Sequence, residues 1–161
     1  MIRIQVLIPT EEEEMKMPEY VTVEEVRRVC KELKIRDWTK LDKAKVLPKE
    51  AKVILAEVNS SKMKIALDDF RSGLEVELEH GIRFKDANVT NNHPVLTGLI
   101  VMAHFKESID YYRLLEVAEL EGDLVKVVAG GNAEKIKEYY KKLAAARIAL
   151  CQAELKRIGK K

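Results

Sequence analysis

The chain has 161 residues, enough for one domain with a buried core that needs neither disulfides nor a structural metal. Hydrophobic residues make up 47% and charged residues 35%, which excludes a disordered chain, and no apolar run approaches the ~20 residues that span a bilayer. The net charge of +2 hides an uneven pattern: residues 66–123 carry −7 and residues 124–161 carry +7, so the acidic centre and the basic tail can satisfy each other or an outside partner.

The first ten residues lack the basic start, long apolar run and small-residue cleavage site of a secretory signal, so a cytoplasmic protein is expected. Within them, Ile2, Ile4, Val6 and Ile8 alternate with Arg3, Gln5 and Leu7 before Pro9, which reads as a short strand or extended arm. Glu11 to Glu14 follow as a solvated linker. Thr22-Val23-Glu24-Glu25 has the form of a capping box and opens a helix to about Leu33, with Val26, Val29, Cys30 and Leu33 on one side. Trp38 lies just beyond and is expected to plug the core. After a basic connector over residues 40–49, Pro48 suits the first turn of a second helix to about Asn59, although the short apolar run at 53–58 also fits a strand.

A third helix is predicted from about Asp68 to a stop at Gly81, burying Leu67, Phe70, Leu74 and Leu78. Asn88, Asn91 and Asn92 give residues 83–94 the chemistry of an ordered loop, in which His93 reads as a loop residue. The fourth helix begins after Pro94 and is apolar almost all round to Phe105, the pattern of a central buried helix. It is expected to continue through Leu115 to about Glu121, with Gly122 near its end. Gly130-Gly131-Asn132 is a clear break. The last helix runs from Ala133 to about Ile158, with a heptad-like stripe at Tyr139, Leu143, Ala146, Leu150 and Ala153. The expected fold is therefore mainly α: a bundle of about five helices, with a short N-terminal strand or arm and a long C-terminal helix. It forms a single domain over 1–161, divided into an arm and acidic linker (1–20), a helical core (21–125) and the C-terminal helix (132–158). That last helix packs on the core or mediates self-association, as a homodimer or with another protein.

Absent motifs narrow the chemistry. There is no phosphate-binding glycine loop, no GxSxG elbow and no CxxC pair, and Cys30 and Cys151 read as buried thiols. Only two glutamines, Gln5 and Gln152, stand beside abundant Lys and Glu, a bias expected of heat-adapted proteins. Glu77 and His80 lie three apart on the third helix, and His104 and Glu107 three apart on the fourth, so each helix presents one Glu–His pair. Imidazole with carboxylate suits iron, manganese or zinc, and two-metal helix bundles use Glu-x-x-His pairs on facing helices. Here the second pair has the reversed order, and Glu116 and Glu119 are the nearest bridging carboxylates. A buried His–carboxylate network is the preferred reading of Glu77, His80, His104 and Glu107. The basic tail interleaves Lys135, Lys137, Lys141, Lys142, Lys156, Arg157, Lys160 and Lys161 with Tyr139 and Tyr140, a pattern that can meet nucleic acid but is more often a solvated face.

The strings Phe70-Arg71-Ser72-Gly73-Leu74-Glu75-Val76-Glu77-Leu78-Glu79-His80-Gly81, Asn88-Val89-Thr90-Asn91, Thr97-Gly98, Ala103-His104-Phe105-Lys106-Glu107 and Asp110-Tyr111-Tyr112 resemble the core of a family of small uncharacterised proteins of bacteria, archaea, phages and mobile elements. The likeness covers about residues 67–116 and is weaker around residues 21–38. Asn92-His93 stands where the family has an acidic pair, and Ile109 where it has a proline. The resemblance implies a cytoplasmic protein, carried in some genomes on a mobile element, and brings no activity or cofactor with it. The leading functional expectation is a non-enzymatic accessory or protein-interaction protein. A metal-binding, ferritin-like oxidoreductase comes second, and a nucleic-acid-binding regulator acting through the basic C-terminal helix third.

Overall fold

Local chemistry sets where the helices begin. In the computed structural model, which describes residues 21–159, the Thr22 hydroxyl accepts the Glu25 N–H at 3.1 Å and opens α1 (Val23–Glu32). The Glu25 carboxylate turns to Arg28 instead of closing the expected box. Pro48 opens α2 (Pro48–Val58), so the apolar run at 53–58 is helical. Beyond these come α3 (Leu67–Arg83), α4 (Pro94–Glu107), α5 (Tyr111–Ala129) and α6 (Ala133–Ile158), with short 3₁₀ turns at Trp38–Lys40 and Lys85–Ala87. No strand occurs among the described residues, and the expected N-terminal arm and acidic linker lie outside them. No described helix is long and apolar enough to cross a membrane.

The core lies where α1 to α4 meet. Val26, Cys30, Trp38, Ile54, Phe70, Leu74, Leu78 and Val101 are almost wholly buried within it, and Trp38 closes it as its position suggests. A buried carboxylate fixes the entry to α2. Glu50 accepts the Arg36 side chain at 2.8 and 2.7 Å and the Arg36 and Leu47 N–H groups at 3.1 and 2.9 Å. Burial works to raise the pKa of this carboxyl, but the guanidinium and the backbone donors outweigh it and hold the group below its usual value.

Four expectations about α3 to α5 need correction. The helix begun at Pro94 does not run on to Glu121: it stops at Glu107, and α5 starts at Tyr111, giving six helices and not five. Ser108 is extended and its hydroxyl accepts the Asp110 N–H at 3.2 Å, a local bond that competes with helix continuation. Gly81 does not end α3, which continues to Arg83. A Cβ there would stand 2.1 Å from the Asn92 side-chain oxygen, so glycine is what lets the Asn92 side chain lie against the helix. Gly122 lies inside α5, not near its end. Nor is α4 buried all round: Leu99 and Ile100 face outward while Thr97, Val101, Met102 and Phe105 face α2 and α3.

The last two helices form an antiparallel hairpin turned at Gly130, Gly131 and Asn132. Gly131 has φ +70°, and the Asn132 side chain caps α6 through the Lys135 N–H at 3.0 Å. The heptad-like stripe of α6 is the hairpin seam. Leu143 and Ala146 are buried and Tyr139, Leu150 and Ala153 half-buried along α5. Opposite charges fix the register: Arg147 meets Glu121 at 2.6 Å, and Arg157 meets Asp110. The acidic centre and the basic tail thus partly satisfy each other.

Candidate functional site

Gly73 is what lets α5 approach α3. A Cβ at this position would lie 2.6 Å from the Tyr112 ring and 2.8 Å from Val101, so only glycine leaves room for Tyr112. Thus admitted, Tyr112 donates its hydroxyl to Glu77 at 3.0 Å. Burial, then the Glu77 charge, push the Tyr112 hydroxyl well above its usual range, so it remains a donor. His104 on α4 places Nε2 3.5 Å from the same Glu77 oxygen, and its ring stacks on Tyr111 at 4.0 Å with an 11° interplanar angle. Glu107 stands 3.9 Å from His104 Nδ1, beyond hydrogen-bond reach, and its side chain is 69% exposed.

Of the four residues singled out from their spacing, the structure brings together Glu77, His104 and Glu107. His80 is exposed one turn farther along α3, and no hydrogen bond or ion pair joins it to the group. The cause is an offset: α3 and α4 run in opposite directions, with Gly81 against Asn92 and Gly73 against Val101, so the His80 end of α3 faces the start of α4. Glu77 is already engaged by Tyr112, and among the described residues no group of three or more His, Cys, Asp or Glu side chains is placed to hold an ion. Glu116 and Glu119 instead rim a cavity of about 480 Å³ between α3 and α5, together with Asp69, Glu75 and Glu79.

A second polar cluster escaped the sequence reading. Asp110, its side chain 6% exposed, accepts Arg113 at 3.2 Å and also Arg157; Arg113 reaches on to Asp69 at 2.5 Å. This chain of charges ties α3, α5 and the end of α6 together. The signal was present in the Asp-Tyr-Tyr string: Asp110 anchors the hairpin, Tyr111 stacks on His104 and Tyr112 bonds Glu77. His93 likewise has a role beyond that of a loop residue. It is buried, and its Nδ1 accepts the Leu96 N–H at 3.3 Å as the N-cap of α4.

The remaining candidates lie apart. Cys30 is buried and free, and Cys151, contrary to expectation, is exposed and free. In the basic tail, Lys142 is held by Glu138 at 2.6 Å and lies over the Tyr139 ring, while Tyr140 is exposed.

A family model described as a protein of unknown function, DUF5661, matches residues 26–121, more than half of the chain, and the chain belongs to that family. No curated protein and no solved structure matches it. The family region takes in most of α1, all of α2 to α4 and the first part of α5; α6 lies outside it.

Proposed function

Starting from that membership, we propose that the protein is a non-enzymatic accessory protein that works by protein–protein contact, with the α5–α6 hairpin as its contact arm. One observation carries the reading. Of the twelve large hydrophobic side chains exposed among the described residues, seven lie on the hairpin: Leu114, Val125, Val128, Tyr140, Ile148, Leu155 and Ile158. Exposed apolar side chains gathered on one element mark a contact surface. The polar clusters support the same view, because Glu77, Asp110 and Glu50 are each engaged by partners that hold helices in place. Resemblance to proteins of phages and mobile elements supports an accessory role in such a setting.

Cross-linking in the source cells, followed by mass spectrometry, tests the proposal. Intermolecular links are expected to concentrate at Lys126, Lys135, Lys141, Lys142 and Lys156 of the hairpin. Links confined to α1 and α2, or a complete lack of intermolecular links, would contradict it.

A further inference from the structure

The cavity between α3 and α5 has an apolar floor beneath a charged rim. Phe105 of α4, buried, and Val76, Ile109 and Leu115, half-buried, form the floor. The volume of about 480 Å³ falls within the range of pockets that hold small molecules, roughly 300–1,000 Å³. Five carboxylates and one guanidinium line it. The guanidinium, Arg113, is spent on Asp69 and Asp110. Glu75 is spent as well, on the Val46 N–H at 3.0 Å and on Lys45 and Arg71 at 3.6 and 3.7 Å. The charge left over is that of Glu116 and Glu119 on α5 and Glu79 on α3. Glu116 and Glu119 share one helix face and make no hydrogen bond or ion pair among the described residues, while Glu79 stands 3.9 Å from Arg83.

We propose that this cavity binds an organic cation with an apolar body, of the class of linear aliphatic diamines, its alkyl chain on the floor and its ammonium groups between the carboxylates of the two walls. Carboxylates above an apolar floor repel anions, and a neutral ligand leaves their charge unanswered. Ammonium N–H groups donate to them in charge-assisted bonds, and the alkyl chain takes the floor out of water. A divalent ion matches less well. It needs several oxygens about one point, and among the described residues no three such side chains are placed to hold one ion. Negative charges held apart over an apolar surface suit a cation whose own charges are held apart by carbon. The site goes beyond the contact-arm reading and does not depend on it: every lining residue falls within 26–121, and α6 contributes none.

Titration calorimetry of the full chain with octamethylenediamine tests the proposal. One diamine bound per chain is expected, with affinity falling as salt rises from about 20 to about 200 mM. Octanediol keeps the body and loses the charge, and ethylamine keeps a charge and loses most of the body; each should bind at least about tenfold more weakly. The double variant Glu116→Gln with Glu119→Gln, altered only at exposed positions, should keep the helical circular dichroism and weaken the diamine about tenfold. Ser72→Phe places a ring at the exposed cavity wall and leaves every carboxylate in place, so weakening by this variant too separates the cavity from general attraction to an acidic surface. No diamine bound at millimolar concentration would overturn the proposal, as would an affinity unchanged in both variants or matched by octanediol. Tighter binding of one Mg²⁺ or Mn²⁺ per chain, lost in the double variant, would overturn it in favour of a metal. None of these outcomes bears on the hairpin cross-links, which judge the contact arm separately.

Discussion

Tyr112 shows how much one side chain does in this protein. It fills the gap that Gly73 leaves and satisfies Glu77, whose side chain is 17% exposed. Replacing it with Phe removes one donor to a largely buried carboxylate, and urea unfolding should report a loss of about 1–2 kcal/mol. Gly73→Ala should cost a similar ~1–3 kcal/mol, because the new methyl group forces the ring aside. Glu50 has larger leverage. Glu50→Gln leaves Arg36 without a counter-charge, and since that side chain is 38% exposed the expected loss is roughly 2–3 kcal/mol, not the full value of a buried pair. The folded pKa of Glu50 lies below its ordinary 4.5, so its contribution is present above pH 4.5 and is lost as pH falls through the folded value. The Glu50→Gln variant should therefore lose less stability on acidification than the parent. Residue types foretold part of this. A histidine in an apolar stretch had to find a partner, and His104 found Glu77. Nothing local to Tyr112 shows that α3 carries a glycine opposite it, so its bond to Glu77 was not legible in the sequence.

The helices whose signals lie within a turn of their ends were legible: Thr22, Pro48 and Pro94 each open a helix as expected, and the break at Gly130-Gly131-Asn132 precedes the last one. Where a helix end depends on distant contacts, the reading failed. Gly81 resembled a stop but answers to Asn92, eleven residues away, and the break after Glu107 rests on the extended Ser108 and on the anchoring of Asp110 by Arg157, 47 residues on. The proline that the resembled family carries in place of Ile109 was the available hint, since the residue before a proline avoids the helical region. His93 gives this scale its sharpest prediction. Burial lowers the pKa of its imidazole below the ordinary 6.5, with the Glu25 charge opposing, and its Nδ1 can accept the Leu96 N–H only when unprotonated. The unfolded chain takes the proton more readily, so the cap's contribution is complete above pH 6.5 and declines as pH falls below it. Unfolding measured at about pH 7.5 and about pH 5.5 should show that decline in the parent. His93→Asn should reduce it, because Asn caps without titrating over that range.

At the scale of the whole molecule, a helical core held by buried carboxylates carries a hairpin whose second helix lies outside the family region. The clasp is Asp110. Arg157→Ala should loosen the end of α6 while leaving α1 to α4 intact, and hydrogen exchange should show faster exchange over residues 150–158 with little change over 67–83. The opposed charges of centre and tail were plain in the sequence, but which of them pair inside the hairpin was not, because only packing sets Arg147 against Glu121 and Arg157 against Asp110. If the His104 cluster holds the fold while the hairpin makes the contacts, metal should find no place there. Titration calorimetry of the full chain with Zn²⁺, Mn²⁺ and Fe²⁺, each alongside Glu77→Gln and His104→Ala, tests this most directly. No stoichiometric binding that depends on these two residues is expected; one ion bound per chain and lost in both variants would contradict it.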